Sequence, residues 1–239
     1  MNNPSNTQQF NRNFEVDVLR GCSIVLMIIF HFGYDLSAFG WASYNTGIDI
    51  EWRVFRVVIV SGFLLAVGMS SYLGYYQSIN TKKLAKGVSK LVLVALFISV
   101  SSYFMYPTTW VYFGIIHFIA IALLLSVCFV KKPNLSLLIA LVILITWYFE
   151  WITFTPLWLW SIENIGIPQR TVDLVRFYPW FSVVLIGIFL MHHKLFGFSV
   201  SKNAGTNKVA WLGKHSLSIY LIHQPILYAL FTLVELALA

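Results

Sequence analysis

Charged side chains are scarce in this sequence, because Asp, Glu, Lys and Arg together make up only 10% of its 239 residues. Soluble domains carry about 25% charged residues, which keep their surfaces hydrated. Hydrophobic residues reach 59%, and long stretches without any charge occur at 91–107 and 135–149. This composition excludes a soluble globular domain and a disordered chain, and it predicts an integral membrane protein in a lipid bilayer.

Cysteine and the common catalytic motifs are also missing or rare. The two cysteines, Cys22 and Cys128, lie in apolar stretches, so a disulfide framework has no support. The chain has no HExxH or CxxC pattern, P-loop, GxGxxG or GxSxG, and we therefore expect no metal site and no phosphate-loop or hydrolase-elbow chemistry. Residues 1–15 lack the features of a cleaved signal peptide. We expect them to form a polar cytoplasmic tail before a single transmembrane domain over 16–239.

The apolar stretches predict an all-α fold, a polytopic transmembrane bundle of about seven helices. A span needs about 20 predominantly apolar residues. The connection 154–176 is rich in Trp and Pro, which predicts an interfacial or partly re-entrant segment. The predicted spans are 18–39, 55–78, 88–106, 111–130, 135–153, 177–193 and 215–237.

The distribution of Lys and Arg predicts the orientation of these spans. With the N-terminus inside and the C-terminus outside, 12 of the 16 cations fall on the cytoplasmic side, in agreement with the positive-inside rule. The net charge of +7 therefore needs no nucleic acid as a partner. The inner cations are Arg12, Arg20, Lys82, Lys83, Lys86, Lys90, Lys131, Lys132, Lys194, Lys202, Lys208 and Lys214. The outer cations are all arginines, which suit carboxylate, phosphate or sulfate groups: Arg53, Arg56, Arg170 and Arg176.

Ionisable groups gather on one face of the first span. On a helix, Asp17, Arg20, His31 and Asp35 point within about 60° of each other. Asp35 lies one turn after His31, so its carboxylate can accept one imidazole proton and leave the other nitrogen as a general base. The alternative is a structural polar pair that orients the helix. Groups of this kind at membrane depth are functional candidates by default.

Two further histidines lie in later spans. His117, in the fourth span, is predicted at a depth similar to that of His31, where it either shares a site with His31 or forms ordinary interhelical hydrogen bonds. Tyr220 and His223 lie near Pro225, which interrupts the helical hydrogen bonds of the last span. We expect His223 in the inner half of the membrane, away from His31.

Short motifs follow one another in order along nearly the whole chain. They are 17–21, 30–36, Arg56 with 62–63 and Gly68, 113–117, Asp173 with 178–180, 212–217, and Tyr220 with 223–225. The ordered set resembles a bacterial membrane family related to the catalytic domain of heparan-α-glucosaminide N-acetyltransferase. That family is in turn related to the acyltransferase-3 proteins.

The resemblance implies a transmembrane acyltransferase of the bacterial cytoplasmic membrane. It would take an acyl group from acetyl-CoA or another acyl-CoA at the cytoplasmic face and transfer it to an acceptor, often a sugar, at the opposite face. The resemblance places Arg20 and His31 as a pair typical of acyltransferase-3 proteins. In the related enzyme, the histidine proposed to accept the acetyl group lies in the loop after the first span. The corresponding residues here, 41–52, contain no histidine. Direct transfer with His31 as the base is therefore favoured over an acetyl-histidine intermediate.

Under this interpretation the predicted site has three parts. The catalytic group is His31, Asp35 and His117. The residues that bind the acyl donor are Arg20, Lys214, Tyr220 and His223. The residues that bind the acceptor are Arg53, Arg56, Asp173 and Arg176.

Two rival functions fit the same residues. A small transporter or proton-coupled permease would use His31, Asp35, His117 and His223 as a proton relay, although the chain lacks the internal repeats of many transporters. A membrane protein with only a structural role would bind no acyl-CoA.

Overall fold

The computed structural model describes residues 13–171, 173–195 and 200–238. Within these residues the chain forms nine α-helices and no strand, so the all-α prediction is confirmed. Arg12 and most of the predicted tail lie outside the described residues. The helices are α1 (Phe14–Ala38), α2 (Ile50–Tyr75), α3 (Thr81–Met105), α4 (Ile115–Ser126), α5 (Pro133–Tyr148), α6 (Thr155–Ile165), α7 (Phe177–His192), α8 (Ala204–Lys214) and α9 (Ser216–Leu238).

Four helices are long and apolar enough to cross a bilayer, namely α1, α2, α3 and α9, with 23 to 26 residues each. The shorter helices α4, α5 and α7 are also apolar. Each of the seven predicted spans coincides with one of these seven helices. Large apolar side chains are exposed along them, such as Leu93, Phe97 and Phe104 on α3, as expected of surfaces that face lipid tails. The chain is a membrane protein, whereas the number of seven spans and their orientation remain predictions.

The described helices form two compact units, and the prediction of one domain over 16–239 stays a prediction. The first unit comprises 13–66 and 200–238, and the second comprises 67–171 and 173–195. The first contains α1, most of α2, α8 and α9. The second contains the end of α2 and all of α3 to α7.

In the first unit, α1 and α8 approach each other backbone to backbone. A Cβ atom on Gly21 would overlap the carbonyl oxygen of Val209, and one on Gly213 would overlap the carbonyl of Asp17. Only glycine allows so close a crossing of two helices. Because α9 begins at Ser216, directly after this crossing, the glycines determine where α9 starts along α1.

In the second unit, small polar side chains connect the apolar helices. The Ser126 hydroxyl of α4 donates to Ser71 of α2 at 2.8 Å, and the Ser136 hydroxyl of α5 lies 3.2 Å from the carbonyl of Leu185 in α7. All of these serines are buried, and Phe118 is fully buried in the same unit. Hydrogen bonds of this type hold helices together where water is absent.

Helix α4 and the two shortest helices differ from the prediction. The fourth span was predicted over 111–130, but α4 has only 12 residues. Helix α6 lies inside the predicted interfacial connection and has no buried residue, so its 11 residues agree with a segment that does not span. Helix α8 was not predicted. Its signal is a capping box in which Asn203 and Thr206 bond each other's backbone N–H at 2.9 Å.

Candidate functional site

His31 uses one ring nitrogen inside its own helix. Its Nδ1 lies 2.9 Å from the carbonyl oxygen of Met27. Because a carbonyl can only accept, Nδ1 carries the proton, and in the neutral ring Nε2 holds the lone pair. The expected hydrogen bond to Asp35 is not formed, because the backbone carbonyl one turn earlier receives this proton. Nε2 of His31 has no hydrogen bond to any described residue, so it is available as a base.

His223 lies beside His31, and the expectation that the two would be far apart is wrong. The ring centroids are 4.7 Å apart with the planes at 80°. Position along a single span does not reveal how two helices align with each other. Instead, Gly213 packs against Gly21, and each histidine follows its own glycine by ten residues.

His223 repeats the hydrogen-bond arrangement of His31. Its Nδ1 donates to the carbonyl of Tyr220 at 2.7 Å, so its Nε2 also carries the lone pair in the neutral ring. The side chain is only 8% exposed, and Nε2 is buried without a partner among the described residues. Two neighbouring imidazoles therefore each present an Nε2 acceptor. We call His31 and His223 the histidine pair.

Asp35 connects α1 to α9 next to the histidine pair. Its Oδ1 accepts a hydrogen bond from Nε2 of Gln224 at 2.8 Å. Asp35 is 1% exposed, so this carboxylate is held away from water. Its Oδ2 and the Oε1 of Gln224 are buried without a described partner. Leaving buried acceptors unpaired is costly, and a group that donates several hydrogen bonds would satisfy them.

The predicted donor-binding cations flank the α1–α8 crossing. Arg20 precedes Gly21, and its Nη1 lies 3.4 Å from Oδ1 of the buried Asp17. Lys214 follows Gly213 and is exposed. The structure therefore brings Arg20 and Lys214 to one crossing, although each also has contacts within the protein.

His117 uses both ring nitrogens within the second unit. Its Nδ1 accepts the backbone N–H of Gly114 at 3.2 Å, and its Nε2 lies 3.0 Å from the hydroxyl of Ser99. Ser99 donates its own proton to the carbonyl of Val111 at 2.7 Å. Ser99 must therefore accept from Nε2–H of His117. The neutral ring has no nitrogen left for a proton transfer while these bonds hold.

Asp173 lies at the same helix start as His117. Its Oδ2 accepts the backbone N–H of Ile115, the first residue of α4, at 3.1 Å. A Cβ atom on Gly114 would collide with this carboxylate, so glycine is needed there. Asp173 and His117 together satisfy backbone donors at the N-terminus of α4 and make the helix begin at Ile115.

The predicted acceptor-binding arginines are exposed. Arg53 and Arg56 lie on the first turns of α2, and Arg176 precedes α7. The described residues form no ion pair with any of the three. Their guanidinium groups are therefore accessible to a ligand.

Two site residues were missed in the sequence. Gln224 follows His223 in the motif 223–225, and a polar side chain at membrane depth is a signal that could have marked it as a site residue. Ser99 is one of several serines in α3, and nothing local distinguishes it. Within the described residues, no three His, Cys, Asp or Glu side chains lie close enough together to hold a metal ion.

The fold and the histidine pair define a helical membrane protein with ionisable groups inside its apolar helices. A family model described as heparan-alpha-glucosaminide N-acetyltransferase, catalytic, matches residues 12–225. The chain belongs to this family, which confirms the resemblance of its motifs and implies transferase activity. The comparison with curated proteins gives no match, and the comparison with solved structures gives none. The matched region ends at Pro225 and includes both histidines of the pair.

Proposed function

We propose that this chain is an integral membrane acyltransferase that moves an acetyl or other acyl group from cytoplasmic acyl-CoA to an acceptor at the opposite face. The observation that carries the proposal is the histidine pair, in which His31 and His223 hold their Nδ1 protons internally and present two Nε2 acceptors. Family membership supports the reaction class. The proposal uses seven spans with the N-terminus inside, in a bacterial cytoplasmic membrane.

The reaction needs a base for the acceptor. An amine or hydroxyl of the acceptor attacks the thioester carbonyl carbon while Nε2 of His31 removes its proton. The tetrahedral intermediate then collapses, the C–S bond breaks, and the departing sulfur of CoA takes the proton from His31. The acyl group ends on the acceptor and CoA leaves as the thiol. A donor-rich acceptor, such as a sugar, suits the unpaired oxygens of Asp35 and Gln224.

The charged residues divide between the two substrates. Coenzyme A is anionic, so we assign Arg20 and Lys214 at the α1–α8 crossing to its phosphates. Tyr220 precedes His223 by one helical turn and belongs to the same donor-binding group. Arg53, Arg56 and Arg176, which are exposed, are assigned to the acceptor.

We assign His117 and Asp173 a positioning role. His117 bonds the backbone N–H of Gly114 and the hydroxyl of Ser99, and Asp173 bonds the backbone N–H of Ile115. They hold the loop before α4 in one conformation, and His117 acts on the reaction only through that conformation.

The test uses the full chain in proteoliposomes, with labelled acetyl-CoA and glucosamine as a probe acceptor. Acetyl-CoA is expected to raise the melting temperature, since a ligand at 100 times its Kd stabilises the folded state by about 2.7 kcal/mol. His31→Ala is expected to keep this shift and to lose transfer by ~10²–10⁴-fold, the usual effect of removing a general base.

The matched control is His193→Ala. His193 is an exposed histidine whose Nε2 bonds Asn134 at 2.9 Å, so its loss is expected to leave transfer unchanged. Absence of both acetyl-CoA stabilisation and acetyl-CoA consumption in the wild-type protein contradicts the proposal. Normal transfer by His31→Ala removes His31 from the role of base.

A proton-coupled permease is the second candidate, and the contact between the rings of His31 and His223 favours it, since neighbouring imidazoles can pass a proton. This function predicts a proton flux through proteoliposomes without any acyl donor. The acyltransferase predicts no such flux and a strict need for the thioester.

A further inference from the structure

We infer that His223 is a second proton acceptor of the site, and that His31 and His223 share one proton through their Nε2 atoms, directly or through one bridging hydroxyl. The resemblance had placed His223 only among the residues that bind the acyl donor. The inference deepens the proposed function and rests on it for its kinetic part. Its spectroscopic part is independent of the reaction.

The tautomers of the two rings are the first support. Both Nδ1 protons are donated to carbonyls of the residues' own helices, Met27 and Tyr220. This leaves the lone pairs of both neutral rings on Nε2. If His223 only filled space beside His31, an aromatic ring without nitrogen would do so without leaving a buried Nε2 unpaired.

The neighbouring charges are the second support. Asp35 on α1 is an ionisable group beside the pair, and Tyr220 on α9 lies with its ring 5.7 Å from that of His223. On α2, the uncharged rings of Trp52 and Phe55 contact Phe30, whose ring lies 5.6 Å from that of His31. With Asp35 ionised, one proton on the pair makes the cluster neutral. A second proton would leave a net positive charge at a buried position, where the low dielectric makes it costly.

The bond between Gln224 and Asp35 holds the two rings together. Gln224 follows His223 directly, and its Nε2 bonds Oδ1 of Asp35 at 2.8 Å. This bond fixes α9 against α1 one residue away from the ring of His223. The pair is therefore preorganised rather than assembled by the substrate.

The step balances in atoms and charge. The acceptor's O–H or N–H bond breaks as its proton passes to Nε2 of His31, and the proton then moves to Nε2 of His223. His31 is neutral again when the C–S bond of the thioester breaks. The proton returns through the pair to the sulfur of CoA, and both rings finish neutral.

The test compares two variants of the full chain in proteoliposomes. His223→Phe keeps a flat ring beside His31 but removes Nε2, and it is expected to lower kcat by ~10²-fold or more, the usual effect of losing an acid–base group, with KM for acetyl-CoA unchanged. His223→Gln keeps a hydrogen-bond acceptor near the position of Nε2 but cannot take up a proton. It is expected to fail to restore kcat. The control His215→Phe, at an exposed histidine before α9, is expected to match the wild type.

The independent readout is ¹⁵N NMR of the six histidines in micelles. The expected result is an Nδ1–H tautomer for His31 and His223, and proton uptake by the pair in two well-separated steps. In His223→Phe, His31 is expected to titrate in one simple step.

Each result decides a separate question. Full rescue by His223→Gln, an Nε2–H tautomer on His223, or independent titration of the two rings overturns the shared proton. Coupled titration without any acetyl transfer leaves the shared proton standing and overturns the proposed function instead. If His223→Phe raises KM for acetyl-CoA at constant kcat, His223 binds the acyl donor and is not a proton acceptor.

Discussion

Histidines in the two units of this protein are held in opposite ways. In the first unit, His31 and His223 each bond one backbone carbonyl of their own helix and keep Nε2 without a described partner. In the second unit, one ring nitrogen of His117 accepts the N–H of Gly114 and the other bonds the hydroxyl of Ser99. All three were candidate functional residues because each lies in an apolar helix. The difference shows that a position in an apolar helix does not by itself distinguish a histidine with one bonded ring nitrogen from a histidine with two.

The distinction depends on how many ring nitrogens the protein itself satisfies. A histidine with both nitrogens bonded can exchange a proton only after a structural bond breaks. A histidine with one bonded nitrogen has a fixed tautomer and a free lone pair, which is the condition for general base catalysis.

The largest expected effect comes from comparing His31→Ala with His117→Ala. His117→Ala leaves the N–H of Gly114 without its acceptor and removes the donor to the Ser99 hydroxyl oxygen, which is expected to lower stability by ~1–3 kcal/mol. The kcat of the protein that stays folded should remain within about tenfold of the wild type, whereas kcat of His31→Ala falls by ~10²-fold or more. Melting temperature and transfer rate per folded molecule check this.

The conservative variant sharpens the same comparison. His117→Asn keeps an oxygen for the N–H of Gly114 and is expected to recover part of the melting temperature. If His117→Ala instead melts normally and loses transfer as strongly as His31→Ala, His117 is a catalytic residue and the contrast between the units is broken.

A smaller effect is expected from Gln224→Leu. The substitution removes the hydrogen bond to the buried carboxylate of Asp35, and bonds to charged groups contribute about 1.5–3 kcal/mol. The melting temperature should fall, and kcat should fall with it because the histidine pair loses its alignment. Thermal unfolding and transfer are measured beside Ser218→Ala, an exposed position on the same helix. A fall in stability with unchanged kcat would show that the pair does not need this bond.

The smallest effect is expected from Asp173→Asn. The amide keeps an oxygen for the N–H of Ile115 but removes the negative charge at the start of α4, a contribution of about 0.3–1 kcal/mol. The melting temperature should fall slightly while KM for the probe acceptor stays constant. A raised KM at constant melting temperature would return Asp173 to the acceptor site that the sequence predicted.

Much of the fold could be predicted from the sequence, because hydropathy is local along the chain. All seven predicted spans coincide with apolar helices of the structure, and the interfacial segment contains the short helix α6. Helix α4 was predicted too long. Its start at Ile115 depends on Asp173, which is 58 residues away along the chain, and a span prediction has no access to such a contact.

The candidate site was predictable only in part. His31, Asp35 and His223 were identified, since polar groups in apolar helices are conspicuous. Met27 precedes His31 by four residues, a spacing at which a histidine side chain can reach a carbonyl of its own helix, but the sequence does not select the rotamer that does so. The contact between His31 and His223 could not be predicted from their positions along each helix, because the close packing of Gly21 and Gly213 determines where α9 starts along α1.

The sequence alone determined that this is a helical membrane protein and which few ionisable side chains lie in its apolar helices, since composition and helical period are properties of short segments. The tertiary structure alone decided which of those side chains meet. It joined His31 to His223, Gln224 to Asp35, and His117 to Ser99. The physical reason is that a hydrogen bond or a ring contact depends on distances of a few ångströms, and residues far apart in the chain reach such distances only when the helices pack.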